Sequence, residues 1–198
     1  YKKLGNLEKA FWAAEKAFTF DKKAFGLEHI STAHKMRRLG ILLEHRKKFR
    51  EAEVYLKKAC EILRKRLGEK HLILAKSQIQ LARIINKQGR TEEAFLISKE
   101  AFSIFEERFI IDDTHSADNR QSEQASTKGF IRSHISIALS LHQRGGNVTL
   151  ANEAFKAYQL SKTSAAANAL KQMATRFSRR KGELSALVRA RQDKINHM

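Results

Sequence analysis

Proline is absent from all 198 residues and glycine occurs only 9 times. The usual helix breakers are therefore almost missing, which argues against an all-β plan and for a mostly helical chain. A single cysteine excludes an internal disulfide framework and fits a reducing compartment, so a cytoplasmic location is expected. No run approaches the ~18 consecutive apolar residues that span a bilayer, and no apolar stretch near the start resembles a secretory signal. Acidic residues are also scarce, with 21 Asp and Glu against 39 Lys and Arg and a net charge of +18. Such a field favours acidic peptides, nucleic acid or an anionic membrane surface without choosing among them.

What the chain does have is a repeat. The stretch Lys48 to Leu72, KFREAEVYLKKACEILRKRLGEKHL, reads as a helix, a Gly-containing turn and the start of another helix. It returns 42 residues earlier over Leu7 to Ile30 and 42 residues later over Thr91 to Phe109. In this register Ala10, Ala52 and Ala94 coincide, as do Ala17, Ala59 and Ala101, and Phe25, Leu67 and Phe109. The intervening helix repeats as well: Ala33 matches Ala75, Leu39 matches Leu81, Gly40 matches Ala82 and Leu43 matches Ile85. Small residues recur where helices must approach closely. A fixed period of this size is the mark of a solenoid of helix pairs, in which each unit buries its apolar face against its neighbours. The expected fold class is all-α, an α-α superhelix of antiparallel helix pairs.

Along the chain, Asn6 is positioned to cap a first helix whose apolar residues Leu7, Ala10, Phe11, Ala14, Ala17 and Phe18 share one face. Trp12, just off that face, is expected to pack at the rim against the next helix. Further helices are expected near 31–45, 50–66, 72–87 and 92–109, with Gly5, Lys47 and Gly89 marking equivalent short turns. His29 and His71 follow Gly26 and Gly68 by three residues each; recurrence without a second ligand points to a turn-stabilising role rather than a metal. Cys60, equivalent to Phe18 and Phe102, reads as an apolar filler. Residues 1–109 thus form the extended repeats, and 110–127, with net charge −3, an acidic loop or insertion. A degenerate repeat follows over 128–162, where Ser133 to Gly145 parallels Ser77 to Gly89 at a shift of 56 and Ala154 takes the place of Ala94 at a shift of 60. Residues 163–198 depart from the repeat as a C-terminal helical linker.

The pattern Leu39, Gly40, Leu43, then Ala52, Leu56 and Ala59, resembles the tetratricopeptide repeat. Its 42-residue period and the turn Gly68-Glu69-Lys70-His71 are similar to the extended repeats of kinesin light chains, with Leu72 where proline is common. The stretch Ala151 to Asp193 is similar to the segment that joins such repeats to a caspase-like CHAT peptidase domain in bacterial proteins; the His and Cys that such a domain carries have no counterpart here. The resemblance implies a scaffold or regulatory recognition arm, with no cofactor and no catalysis of its own. Nucleic-acid binding driven by charge is the alternative, set against the lack of a surface row of stacking aromatics. In tetratricopeptide repeats the first helix of each pair lines a concave groove. The side chains so placed are His34, Arg37, Ile41 and Glu44; then Lys76, Ile79, Arg83 and Asn86; then Arg132, Ile135, Leu139 and His142. They are expected to form a cationic row with apolar residues between, suited to an acidic peptide of a protein partner.

Overall fold

The structure, a computed structural model, describes residues 2–111, 117–145 and 148–159, with side chains over 7–107, 128–145 and 148–159. Six helices run in chain order as α1 (Lys2–Phe25), α2 (Ile30–His45), α3 (Phe49–Leu67), α4 (Leu72–Lys87), α5 (Thr91–Ile111) and α6 (Ala117–Gly145). A seventh, α7, covers 148–159, and there is no strand among the described residues. Contacts divide the chain into Tyr1–Tyr158 and Gln159–Met198, and the architecture below is that of the first unit.

The helix boundaries follow from local chemistry. His29 and His71 stand immediately before α2 and α4, and each imidazole Nδ1 accepts a hydrogen bond from a backbone N–H of the first turn, from Ser31 and Ile73, both at 3.1 Å. The two histidines therefore do for these helices what Ser or Asp does at other N-termini. Gly26 and Gly68 end α1 and α3 with φ of +84° and +87°, a region open to glycine. In the turn between α2 and α3 the equivalent of Gly89 is Lys47, which holds φ at +60° despite its Cβ.

Each of α1 to α6 packs on its chain neighbours in that set, and in addition α2 meets α4 and α4 meets α6. The first helices α2, α4 and α6 thus line up, and α3, α5 and α7 follow them as second helices. The alanine columns lie where the helices cross: Ala33, Ala52, Ala59, Ala75, Ala82, Ala94, Ala101 and Ala138 are all fully buried. Closest approach is at Gly40, where an added Cβ would stand 2.6 Å from Leu56 Cγ. Leu43, Leu56, Leu63, Leu74, Ile84 and Ile85 fill the continuous core. A second cluster, Leu72, Ala75 and Ile79 with Ala101, Ile104 and Phe105, seals α4 against α5.

Ion pairs tie helices within and between units, at separations of 36 or 37 residues. Arg64 reaches Glu100 at 3.2 Å, Lys65 reaches Glu28 at 2.8 Å and Lys70 reaches Glu107 at 3.0 Å. Glu53, almost buried, receives Arg90 at 2.9 Å and Lys57 at 2.7 Å. Arg46 pairs with Glu8 and lies over the Phe11 ring.

Several sequence-based expectations change. Helix α1 already begins at Lys2, so Asn6 is not its cap and Gly5 lies within the helix rather than in a turn. Within the acidic stretch 110–127, α5 continues to Ile111 and α6 starts at Ala117, beside Ser116, from which the sequence already reads as partly helical. Trp12 does not pack against the next helix; it is 63 % exposed, with Lys16 Nζ 5.5 Å from its ring centroid. The linker expected over 163–198, and most of the CHAT-like stretch, lie outside the described residues.

Candidate peptide-binding groove

The residues expected to form the row lie on α2, α4 and α6, the first helices of the pairs. On α2, His34, Arg37 and Ile41 are half-buried. Burial, with the positive charges of Arg37 and Lys35 and the His71 imidazole nearby, pushes the His34 pKa below its ordinary value, favouring the neutral ring. Arg37 is desolvated enough that its own pKa falls, and its Nε is buried without a hydrogen-bond partner. Arg37 makes no ion pair among the described residues. Two turns further along α2, Glu44 is nearly buried.

The ion pairs converge on this carboxylate. Arg83 Nη2 and Lys87 Nζ, both on α4, donate to the same Glu44 oxygen at 2.7 Å each. The pairs join α2 to α4 and leave two cations sharing one negative charge. Lys76 and Asn86 on the same helix are half-buried.

Ile79 departs from expectation. It is fully buried with Leu72, Ala75, Ala101, Ile104 and Phe105, so it is core and offers nothing to a ligand. On α6, Arg132 is exposed without an ion pair among the described residues, Ile135 is half-buried against the main core, and His142 is half-buried. Leu139 is exposed between them. The sequence pattern does not single out Lys87, although it follows Arg83 by four positions and therefore shares its face. Glu44, the one carboxylate of the row, sets how much of that positive charge is already compensated.

Among the described residues no three His, Cys, Asp or Glu side chains come together to hold a metal. Cys60 is buried and burial pushes its thiol up to about 12, far from a reactive thiolate. Two open depressions lie elsewhere. One of about 310 Å³ between α5 and α7 is lined by Phe95, Lys99, Leu150 and Glu153. The other, of about 490 Å³, lies at the α2–α3 turn around Lys47, Phe49, Arg50 and Gln88. Neither includes a residue of the row.

The comparisons with known proteins bear on the fold. The family model of the tetratricopeptide repeat matches residues 1–65. The structure is similar to BtubC (BKLC) from P. vanneervenii, with a TM-score of 0.63 and 19% sequence identity over 85% of this chain. The chain spans 60% of the length of that protein. It is also similar to two crystal structures of a candidate kinesin light chain of P. anserina with nearly identical TPR-like repeats. One, a variant with a single substitution, has a TM-score of 0.51 at 16% identity and covers 87% of this chain and 92% of its own. The other has 0.51 at 17% identity and covers 91% of each. No curated protein matches the sequence. The helix pairs, their alanine crossings and these likenesses together make the fold an all-helical solenoid of the tetratricopeptide-repeat type.

Proposed function

We propose that the chain is a protein-interaction scaffold whose row of first helices holds an extended acidic peptide. The observation that carries this reading is the charge imbalance on that row. Glu44 is shared by Arg83 and Lys87, while Arg37 and Arg132 have no ion-pair partner among the described residues. A half-buried guanidinium without a carboxylate is costly, and a bidentate carboxylate from a ligand removes that cost. Ile41, Ile135 and Leu139 supply the apolar contacts, with Ile79 withdrawn from the set. Tetratricopeptide repeats in general bind proteins, and the likeness to kinesin-light-chain-type repeats agrees with this reading. A cytoplasmic setting fits the buried, reduced Cys60. On sequence resemblance alone, we read 151–193 as a joint of the kind that precedes a CHAT effector domain.

The test is the binding of a fluorescein-labelled peptide alternating Glu and Leu, followed by anisotropy. Arg37→Glu with Arg132→Glu should weaken it at least fivefold, about 1 kcal/mol, at physiological salt. Reversing the equally cationic Lys2 and Lys3, which belong to α1 and not to the row, should act only through screened long-range attraction. Equal losses from both pairs, vanishing at moderate salt, would show that general charge and not the row binds the peptide. Recovery of partners from lysate that disappears on nuclease treatment would favour nucleic acid instead.

A further inference from the structure

The repeat supplies an internal comparison for the turn between α2 and α3. In the 42-residue register Lys47, Lys48, Phe49, Arg50 and Glu51 stand where the next unit has Gly89, Arg90, Thr91, Glu92 and Glu93. One pair is common to the two turns: Lys48 bonds Glu51 at 2.9 Å, and Arg90 bonds Glu93 at 2.6 Å. That pair accounts for Lys48 and Glu51 as structure. Two differences remain. Lys47 stands in place of glycine and Arg50 in place of glutamate, not only against Gly89 and Glu92 but also against Gly5 and Glu8 of the first unit.

Both replacements add positive charge, and one does so against the backbone. Lys47 holds φ at +60°, a conformation that glycine adopts freely and a Cβ opposes. A residue kept in a disfavoured conformation points to a use for its side chain. Lys47 and Arg50 are both exposed, and neither makes an ion pair among the described residues. The acidic side chains nearest in sequence are already bonded: Glu51 to Lys48, Glu44 to Arg83 and Lys87, and Glu53 to Lys57 and Arg90.

The two cations share the depression of about 490 Å³, whose remaining lining is Lys48, Phe49, Glu51 and Gln88. Lys48 and Glu51 cancel, so this lining carries two uncompensated positive charges. Phe49, half-buried on the core, gives it an apolar wall, with Lys87 Nζ 5.7 Å from the ring centroid. Gln88 comes from the following turn, where Glu53 holds its amide at 2.7 Å. A carboxylate or a phosphodiester brings a single negative charge. A phosphate monoester at neutral pH brings about −1.5 to −2, with three acceptor oxygens for separate donors.

We propose that the depression at the α2–α3 turn binds a phosphate monoester. Lys47 and Arg50 hold the dianion, Lys48 borders it, and Phe49 packs against the group that carries the phosphate. The site shares no residue with the row of first helices, and its occupation does not depend on a peptide lying there.

The probe is phenyl phosphate, titrated into the full chain and followed by amide shifts in ¹H–¹⁵N spectra, with phenyl sulfate as a monoanion of similar shape. Phenyl phosphate should saturate, with its largest shifts at 47–51 and Gln88, and bind roughly fivefold more tightly than the sulfate. Arg50→Glu, which installs the residue of the other two units, should weaken it roughly tenfold. Lys47→Gly should also weaken it severalfold while raising the urea midpoint, opposite signs that a merely structural lysine does not give. Lys22→Glu removes an exposed cation of α1 that lines no part of the depression, and should leave binding unchanged. Equal binding of phenyl sulfate, undiminished binding in Lys47→Gly or Arg50→Glu, or an equal loss in Lys22→Glu would each overturn the proposal. So would tighter binding, at the same amides, of a single-stranded oligonucleotide lacking terminal phosphates. A neutral peptide with one phosphoserine binding more tightly than glucose 6-phosphate assigns the monoester to a modified protein, and the reverse order to a free metabolite.

Discussion

At Lys47 a side chain occupies a left-handed turn position that Gly89 fills in the next unit. A non-glycine residue there costs roughly 1–2 kcal/mol, and glycine returns about 0.5–1 of that through its freer unfolded state. Lys47→Gly should therefore raise stability by about 0.5–1 kcal/mol in a urea titration, and Gly89→Lys should lower it. Gly40 makes the opposite case. With Leu56 Cγ 2.6 Å from where its Cβ would be, Gly40→Ala should destabilise by roughly 1–3 kcal/mol through overpacking, seen as a lower denaturant midpoint. Both residues are legible in the sequence, one as a turn and one as a member of a small-residue column, because a repeat shows each position several times. Ile79 is not legible. Its equivalents Arg37 and Ile135 are half-buried, whereas Ile79 is packed against Ala101, Ile104 and Phe105 of α5. Burial of that kind depends on which unit a residue sits in, and the pattern averages over units.

Among the elements, α6 is held to α5 by an unusual contact. His134 is fully buried, stacked against Phe102 at 4.8 Å and Phe95 at 5.9 Å, and shares a 2.9 Å hydrogen bond with Ser98 Oγ through Nδ1. Its Nε2 has no partner. The nearest charges, Lys99 on α5 and Glu153 on α7, act in opposite directions and are bonded to each other at 2.8 Å. Burial therefore dominates and lowers the pKa to about 4. Because the folded value lies below the unfolded one, the unfolded chain takes up a proton first. Stability falls as the pH drops from about 6.5 toward 4, by about 2 kcal/mol at pH 5. Urea midpoints at pH 7 and pH 5 measure this directly. The other units carry Met36 and Gln78 at this position, so His134→Met should remove most of the dependence. An undiminished slope in that variant would place the titrating group elsewhere. The sequence places α6 as a third, weaker unit through Ser133 to Gly145, but the aromatic cage requires knowing that Phe95 and Phe102 flank one side chain of another helix. The start of α1 is misleading in the sequence because Gly5 and Asn6 look like a turn at the repeat spacing, whereas nothing in the first turn obstructs helical backbone.

For the molecule as a whole, net charge opposes folding. The chain carries +18, and most of its ion pairs are exposed, each worth about 0–1 kcal/mol and screened by salt along with the repulsion. Repulsion summed over so many unpaired cations outweighs those pairs, so the thermal midpoint should rise as sodium chloride is raised from low to physiological concentration. A falling midpoint would show that pairs such as Arg64–Glu100 and Lys70–Glu107 matter more than the field. The architecture itself also has a mechanical meaning. Among α1 to α6 each helix touches only helices one or two places away, no clamp joins α1 to α6, and a force applied across these helices meets the pairs in series rather than together. Stretched between two beads, the protein should not snap open at once but give way like a zip, pair after pair. Each 42-residue unit should release about 140 Å of slack, and the weakly held α1 should let go at the lowest load.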